Sequence, residues 1–251
     1  MTADGVSPIP VVESSVFARI GHARFAVVEM GDQAISATTY ANEFLGAAQL
    51  RANTYLEHGF VSREQLDDNG TELDRDDQRS AHFVVLERVE SSGSMVRVVG
   101  NMRLVQKSPE DSSALPVESY FPELFLDNPL PINSVEVSRL IARHENPRTQ
   151  RLLLWPLFVA GYRFVERNQF GPVHGLLSVA LTRHLRSRRV PITPMASAKH
   201  IPEINATKQP VALDLDLLRD LVETGGGQDI SLAGDWLSYV RPDDPAGGES
   251  H

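Results

Sequence analysis

The sequence predicts an α/β (α+β) protein: a mixed, mostly antiparallel twisted sheet flanked by helices. Three observations carry this. Two β-rich runs, residues 82–87 and 95–105, stand on either side of Ser91-Ser-Gly-Ser, a hairpin signal. Residues 152–168 are apolar nearly all round, the pattern of a buried helix. Short strands and helices then alternate from residue 173 to residue 223, which requires a sheet covered by helices.

In chain order, Phe25-Ala-Val-Val-Glu reads as a strand. From residue 40 to residue 58, Phe44, Leu45, Ala48 and Tyr55 fall near a helical period, and Gly59 supplies the stop. Residues 62–80 are acidic and polar and read as a long loop. The hairpin follows, then a loop punctuated by Pro109, Pro116, Pro122, Pro129 and Pro131, then a strand over 134–142. Pro156 either kinks the apolar helix or marks a late start. A strand over 173–176, a helix over 180–187 and strands near 190–193 and 211–213 come next, with a short helix over 216–223. This makes one domain, 15–223, between a loose leader, 1–14, and a Gly-rich tail, 224–251.

Composition removes several kinds of chemistry. The 251 residues include no cysteine, which excludes a disulfide framework, Cys-ligated zinc and a cysteine nucleophile. Met1-Thr-Ala-Asp-Gly has neither the basic nor the apolar region of a secretory signal, so a cytoplasmic protein is expected. The longest apolar stretch, 152–165, is interrupted by Pro156, Gly161 and Arg163 and falls short of the roughly 20 residues of a membrane span. A net charge of −9 argues against a nucleic-acid partner. Against that background Arg183, His184, Arg186, Arg188 and Arg189 form a local basic cluster suited to a small acidic partner, or simply a solvated helix end.

No phosphate loop, dinucleotide fingerprint, nucleophile elbow or zinc-protease motif is present. Residues 65–76 follow a calcium loop only loosely, with Asp67, Asn69, Gly70 and Asp76 near ligand positions but Gln65 at the first, so no metal is expected. Charges inside β-rich runs are more informative. Arg103 sits between Met102 and Leu104, and Glu136 and Arg139 interrupt Val135-x-Val137-x-x-Leu140-Ile141. A charge within a strand must be solvated, paired or used. Strict alternation puts Glu136 and Arg139 on opposite faces, whereas a β-bulge between them brings both to one side. An outer face with ordinary ion pairs is the other reading of each residue alone.

Taken in order, Arg51-(x3)-Tyr55-(x4)-Phe60, Glu72-x-Asp74-x-x-Asp77, Gly100-x-x-Arg103, Phe121-Pro-x-Leu-Phe125 and Glu136-x-Ser138-Arg139 resemble the acyl-homoserine-lactone (autoinducer) synthase family. They are also similar to the related N-acyl amino acid synthases, which share the GNAT N-acetyltransferase fold. The resemblance runs from about Arg51 to Asp214. It implies a GNAT-like fold and an N-acyltransferase that takes its acyl group from acyl carrier protein (ACP) or coenzyme A (CoA). The acceptor is then a small-molecule amine, an amino acid or, for a lactone product, S-adenosylmethionine, and no cofactor is tightly bound.

Carried over by motif, Glu136 becomes the catalytic base, acting through water, with Ser138 and Arg139 beside it. Arg51, Tyr55, Phe60, Asp74, Asp77, Arg103 and Phe121 become the substrate-binding set. Within it Asp74 and Asp77 suit an ammonium, and Arg103 or Arg139 a carboxylate. Backbone N–H groups at a splayed strand would hold the oxyanion. Trp155 and Phe158 line an acyl tunnel or pack in the core. Arg183, Arg186, Arg188 and Arg189 fit the acidic surface of a carrier protein.

Phe60 replaces the usual Trp of the lactone synthases and Tyr55 their Phe, which leaves the acceptor open. His144-Glu-Asn-Pro-Arg-Thr-Gln lacks the Gly-rich pyrophosphate signature, making CoA the less secure donor. Residues 177–213 look more like the N-acyl amino acid synthases. The alternative of another class is a non-catalytic module on the same fold that binds an acyl or pantetheine group or a protein.

Overall fold

A computed structural model of the chain describes residues 16–20, 23–30, 41–88, 96–107 and 114–223. The expected leader, tail and hairpin turn at Ser91–Ser94 lie outside these residues. Strands β1 (Val16–Ile20) and β2 (Ala23–Met30) precede helix α1 (Ala41–Glu57). Then come β3 (Ser80–Arg88), β4 (Val96–Gln106), the short helix α2 (Pro116–Tyr120) and β5 (Val135–Ala142). Helices α3 (Pro147–Leu152) and α4 (Leu154–Arg167) lead to β6 (Val173–Leu177) and α5 (Val179–Ser187). The chain continues through β7 (Ile192–Pro194), β8 (Lys199–Ile201), β9 (Ala206–Leu213) and α6 (Leu215–Glu223).

These strands form one sheet in the order β1-β2-β3-β4-β5-β6-β9-β7, with β8 paired to β9. Every pairing is antiparallel except β5 with β6. The mixed, mostly antiparallel sheet flanked by helices is the architecture expected from the sequence. Some elements were not foreseen: β1, β8 and the first half of β9. The acidic segment 62–80 is not a plain loop, because Arg63–Gln65 and Arg75–Arg79 wind into 3-10 turns. The proline-rich segment likewise holds α2. Pro156 falls in the first turn of α4, where its missing N–H costs nothing, so it marks a late start and not a kink.

The sheet has two packed faces. On one, α1 lays Phe44 and Ala47 against Met30 and Val84, with Ala48 buried beside them. Arg51 and Ala52 continue the same buried stripe one turn on, so a guanidinium enters the interior on a helix face that is otherwise apolar. Gly59 ends the helix at φ +67, a conformation that costs a Cβ-bearing residue and that glycine adopts freely.

On the other face, α4 buries Leu157, Phe158 and Phe164 against Phe83, Met102, Leu104 and Val137, each side chain contributing ~1.5–3 kcal/mol of burial. Gly161 allows this closeness: a Cβ there would lie 2.5 Å from Met102 Cε. Among the described residues no helix is long and apolar enough to cross a membrane.

Two irregularities in the middle of the sheet make room for a site. Arg103 pairs with Ser138 and Asn101 with Ile141, so Arg139 and Leu140 together face Met102. This is the bulge that the charges of β5 called for, and Arg139 takes it at φ 52. Beside it, β5 and β6 pair only through Val135–Val173, Glu136–His174 and Val137–Gly175 and then part.

Candidate active site

Alternation places Val135 and Val137 of β5 in the α4 core and turns Glu136 and Ser138 to the opposite face. The bulge adds Arg139 to that face. All three, with Arg103 of β4, line a pocket of about 140 Å3 that opens into an outer vestibule of about 460 Å3. Tyr55 and Phe60 from the end of α1 form one wall, in edge contact at 5.9 Å. Glu72, Asp74 and Asp76 from the acidic segment and Lys208 of β9 complete the charged lining.

The acidic segment is fixed by its own turn chemistry. Asp74 caps the 3-10 turn by accepting from the Asp76 N–H at 2.9 Å, and Asp77 reaches back to the Asp74 N–H at 2.8 Å. Asp77 then binds two arginines. Its Oδ1 accepts from Arg51 and Arg103 at 2.8 Å each, and its Oδ2 accepts a second Arg51 bond at 2.8 Å. Both carboxylate oxygens are therefore saturated, and these partners hold Asp77 well below the usual carboxylate range despite its burial.

Arg103 also donates to Asp74 at 2.6 Å and to the Ser138 hydroxyl at 3.0 Å. Arg139 donates to Glu72 and Asp74 at 2.6 Å each, with its guanidinium 5.4 Å from the centre of the Tyr55 ring. Arg51 closes the network on Glu72, with an ion pair at 2.7 Å and a bond to its carbonyl.

This geometry sorts the residues expected from the sequence. Glu136, Ser138, Arg139, Tyr55, Phe60, Asp74 and Arg103 share the pocket. Arg51 and Asp77 do not line it: both are buried one layer behind, where Asp77 has no lone pair left for an ammonium. Phe121 is also buried outside the lining, under the Lys199 ammonium at 4.3 Å. Trp155 and Phe158 belong to the α4 core. Both also line the small cleft that holds Arg151, His184 and Arg188, and Phe158 borders a second void of about 20 Å3.

Arg183, Arg186 and Arg189 are exposed and Arg188 half-exposed on and just beyond α5. The loose calcium motif does not converge: Asp67 is spent on Asn69 and Thr71, and Asp76 accepts from Arg79 at 2.7 Å.

Three site features were missed. Asp76 lines the pocket, and its Oδ2 has no hydrogen-bond partner among the described residues. Lys208 lines it from β9. The third is the backbone N–H of Val117, a first-turn donor of α2, which bonds Glu136 Oε2 at 2.6 Å.

Glu136 is the unusual group. It is 1% exposed, and its Oε1 has no hydrogen-bond partner among the described residues. Burial pushes its carboxyl up to about 8, against the pull of the Val117 N–H and the Arg103 charge. A carboxyl titrating near neutrality in a pocket is suited to taking and returning protons.

Behind the network, His82 is fully buried against Phe44 at 5.1 Å, and its Nε2–H donates to the Asp77 carbonyl at 3.1 Å. Burial lowers it from 6.5 to about 4. A depressed folded value means stability that is present above pH 6.5 and lost as the pH falls toward 4. The loss on going from pH 7 to pH 4 is expected to be roughly 3 kcal/mol. Because Glu136 titrates with the opposite sign over the same range, urea midpoints of wild type are compared with those of His82→Gln. A difference that stays constant from pH 7 to pH 4 would contradict a buried neutral His82.

Comparison with known proteins agrees with this fold. Residues 50–156 match the acetyltransferase (GNAT) domain family. The match, over less than half of the chain, and the sheet agree on a GNAT-like fold.

The CoA-dependent acyl-homoserine lactone synthase BjaI, solved with SAM and isopentyl-CoA, shares the fold at TM-score 0.57 and 17% identity, over 78% of this chain and 87% of that one. The AHL synthase LasI aligns at TM-score 0.53 and 16% identity, covering 77% and 91%. FeeM, an N-acyl amino acid synthase from uncultured soil microbes, aligns at TM-score 0.53 and 14% identity, covering 77% and 92%. Comparison with curated proteins by sequence gave no match.

Proposed function

We propose that the protein is an N-acyltransferase that moves a fatty acyl group from an acyl thioester to the amine of an amino acid or amino-acid derivative. The observation that carries this is Glu136: a buried carboxyl with one free oxygen, titrating near 8, in a pocket beside the place where two parallel strands part. Asp76, with its own free oxygen, draws the acceptor's ammonium into the same pocket. Glu136 takes a proton from that ammonium, directly or through one water. The neutral nitrogen attacks the thioester carbonyl, and the C–N bond forms. The C–S bond then breaks, and the leaving thiolate takes the second proton that the nitrogen gives up in becoming the amide, while Glu136 returns the first to water.

Charge that develops on the carbonyl oxygen is met by backbone N–H groups where β5 and β6 no longer pair. No side-chain nucleophile is required, in keeping with the motifs that the sequence lacks.

The thioester reaches this point from the opposite face of the sheet. There α4 and α5 follow the carboxyl ends of β5 and β6, the usual crevice for a ligand in such sheets. A small cleft between them carries Arg151, His184 and Arg188, groups that fit a phosphate. Next to it, the exposed Arg183 and Arg186 suit an acidic carrier protein. Reversing both charges, Arg183→Glu with Arg186→Glu, is expected to raise KM for acyl-ACP roughly tenfold, as loss of electrostatic steering does, and to leave KM for acyl-CoA nearly unchanged. Equal effects on the two donors would remove the docking role.

The test of the whole reading is mass spectrometry of products after incubation with acyl-ACP or acyl-CoA and a panel of amino acids. An N-acyl amino acid is the expected product. A lactone formed from S-adenosylmethionine would move the assignment to autoinducer synthesis, and thioester left intact with every amine would refute acyl transfer.

A further inference from the structure

We infer that Lys208 is the residue that recognises a free carboxylate on the acceptor, so that the pocket selects amino acids over amines lacking the acid. The inference rests on the N-acyltransferase reading and adds to it a substrate class and a specificity residue.

Three cations line the pocket: Arg103, Arg139 and Lys208. The two arginines, the carboxylate binders expected from the sequence, are already engaged. Arg103 lies 2.6 Å from Asp74 and 2.8 Å from Asp77, and Arg139 lies 2.6 Å from both Glu72 and Asp74. The surrounding charges balance in the same way: Glu72, Asp74, Asp76 and Asp77 are matched by Arg51, Arg79, Arg103 and Arg139. An incoming carboxylate would have to break these ion pairs to use either pocket arginine, and would leave a buried carboxylate stranded.

Lys208 is the remaining cation. Among the described residues its ammonium has no ion pair and no side-chain hydrogen bond, and it lies over the face of Phe60, 5.3 Å from the ring centre. Half-buried and facing the positive Arg139, it is held below the ordinary lysine value, first by burial and then by that neighbour. A desolvated ammonium without a counter-charge is unfavourable, and a ligand carboxylate relieves it.

Placement supports the role. Gln209 is the last β9 residue paired with β6, so Lys208 stands one residue past that ladder, at the splayed edge. The Tyr55–Phe60 pair sets Arg139 over one ring and Lys208 over the other, which holds both cations along one wall. An amino acid entering this pocket meets Asp76 and Glu136 for its ammonium and Lys208 for its carboxylate.

The test compares wild type, Lys208→Met and Lys208→Arg. The ligands are the amino acid bound most tightly from a panel of the standard ones, and its carboxamide. Calorimetric Kd without donor and KM in amide formation are both measured, with thermal melting to verify folding. Lys208→Met is expected to weaken binding of the acid roughly 10- to 100-fold, the usual worth of a charge-assisted bond, and to leave the carboxamide nearly unchanged. Lys208→Arg should retain most of the acid's affinity.

Equal weakening of acid and carboxamide, no weakening of either, or no amino acid bound by wild type would overturn the inference. Acid binding that depends on Lys208 without any amide product would uphold recognition and refute acyl transfer. Unimpaired amide formation by Lys208→Met would do the reverse.

Discussion

Replacing Glu136 by Gln is expected to lower kcat by ~10²–10⁴-fold, the usual contribution of a positioned general base, and to stabilise the fold at the same time. Gln keeps an acceptor for the Val117 N–H and matches the shape of the buried side chain, so packing is preserved. The stability sign follows from linkage. The folded carboxyl titrates at about 8 against 4.5 unperturbed, so the stabilisation is complete below pH 4.5 and is lost as the pH rises toward 8. Gln never ionises and loses nothing. At pH 7 the variant is therefore expected to gain roughly 3 kcal/mol in urea unfolding, an order-of-magnitude figure. A variant that loses turnover and stability together would instead mark Glu136 as a structural residue.

Asp77→Asn is expected to cost ~3–5 kcal/mol of folding stability, the scale for breaking a buried ion pair by removing one partner. Asp77 is the one carboxylate that both buried arginines share, and the amide cannot accept their bonds on both of its termini. Arg51 and Arg103 would be left with a surplus of buried positive charge. Arg219→Ala breaks a solvent-exposed ion pair with Glu166 and should leave the stability nearly unchanged. Chemical denaturation of the two variants side by side measures the contrast. A cost for Asp77→Asn as small as for Arg219→Ala would show that the network is not what fixes the acidic segment.

Much of this was legible in the sequence where side chains repeat with a period. Met102 and Leu104 flank Arg103, and this alternation places β4 correctly and turns Arg103 away from the α4 core. Glu136 and Arg139 are out of phase for a regular strand, and the bulge at Arg139 resolves them. Arg51 could have been assigned to the interior, because it falls on the stripe of Phe44, Ala47 and Ala48.

The misses have physical reasons too. Asp76 sits among Asp74, Asp77 and Arg75, and only the 3-10 turn decides which carboxylate faces the pocket and which is consumed by arginines. Lys208 is a single charge in Thr207-Lys-Gln of a strand whose position depends on long-range pairing with β6 and β8. The Val117 donor is a backbone group, which no residue type announces.

The most direct test of the central claim is the pH profile of kcat/KM for amide formation, for wild type and Glu136→Gln. Wild type is predicted to rise with pH through an inflection near 8, as Glu136 becomes a carboxylate able to accept the ammonium proton. The Gln variant should lack that inflection and run far below it. A wild-type profile that is flat from about pH 6 to pH 9, or a Gln variant with the same inflection and rate, would contradict Glu136 as the base.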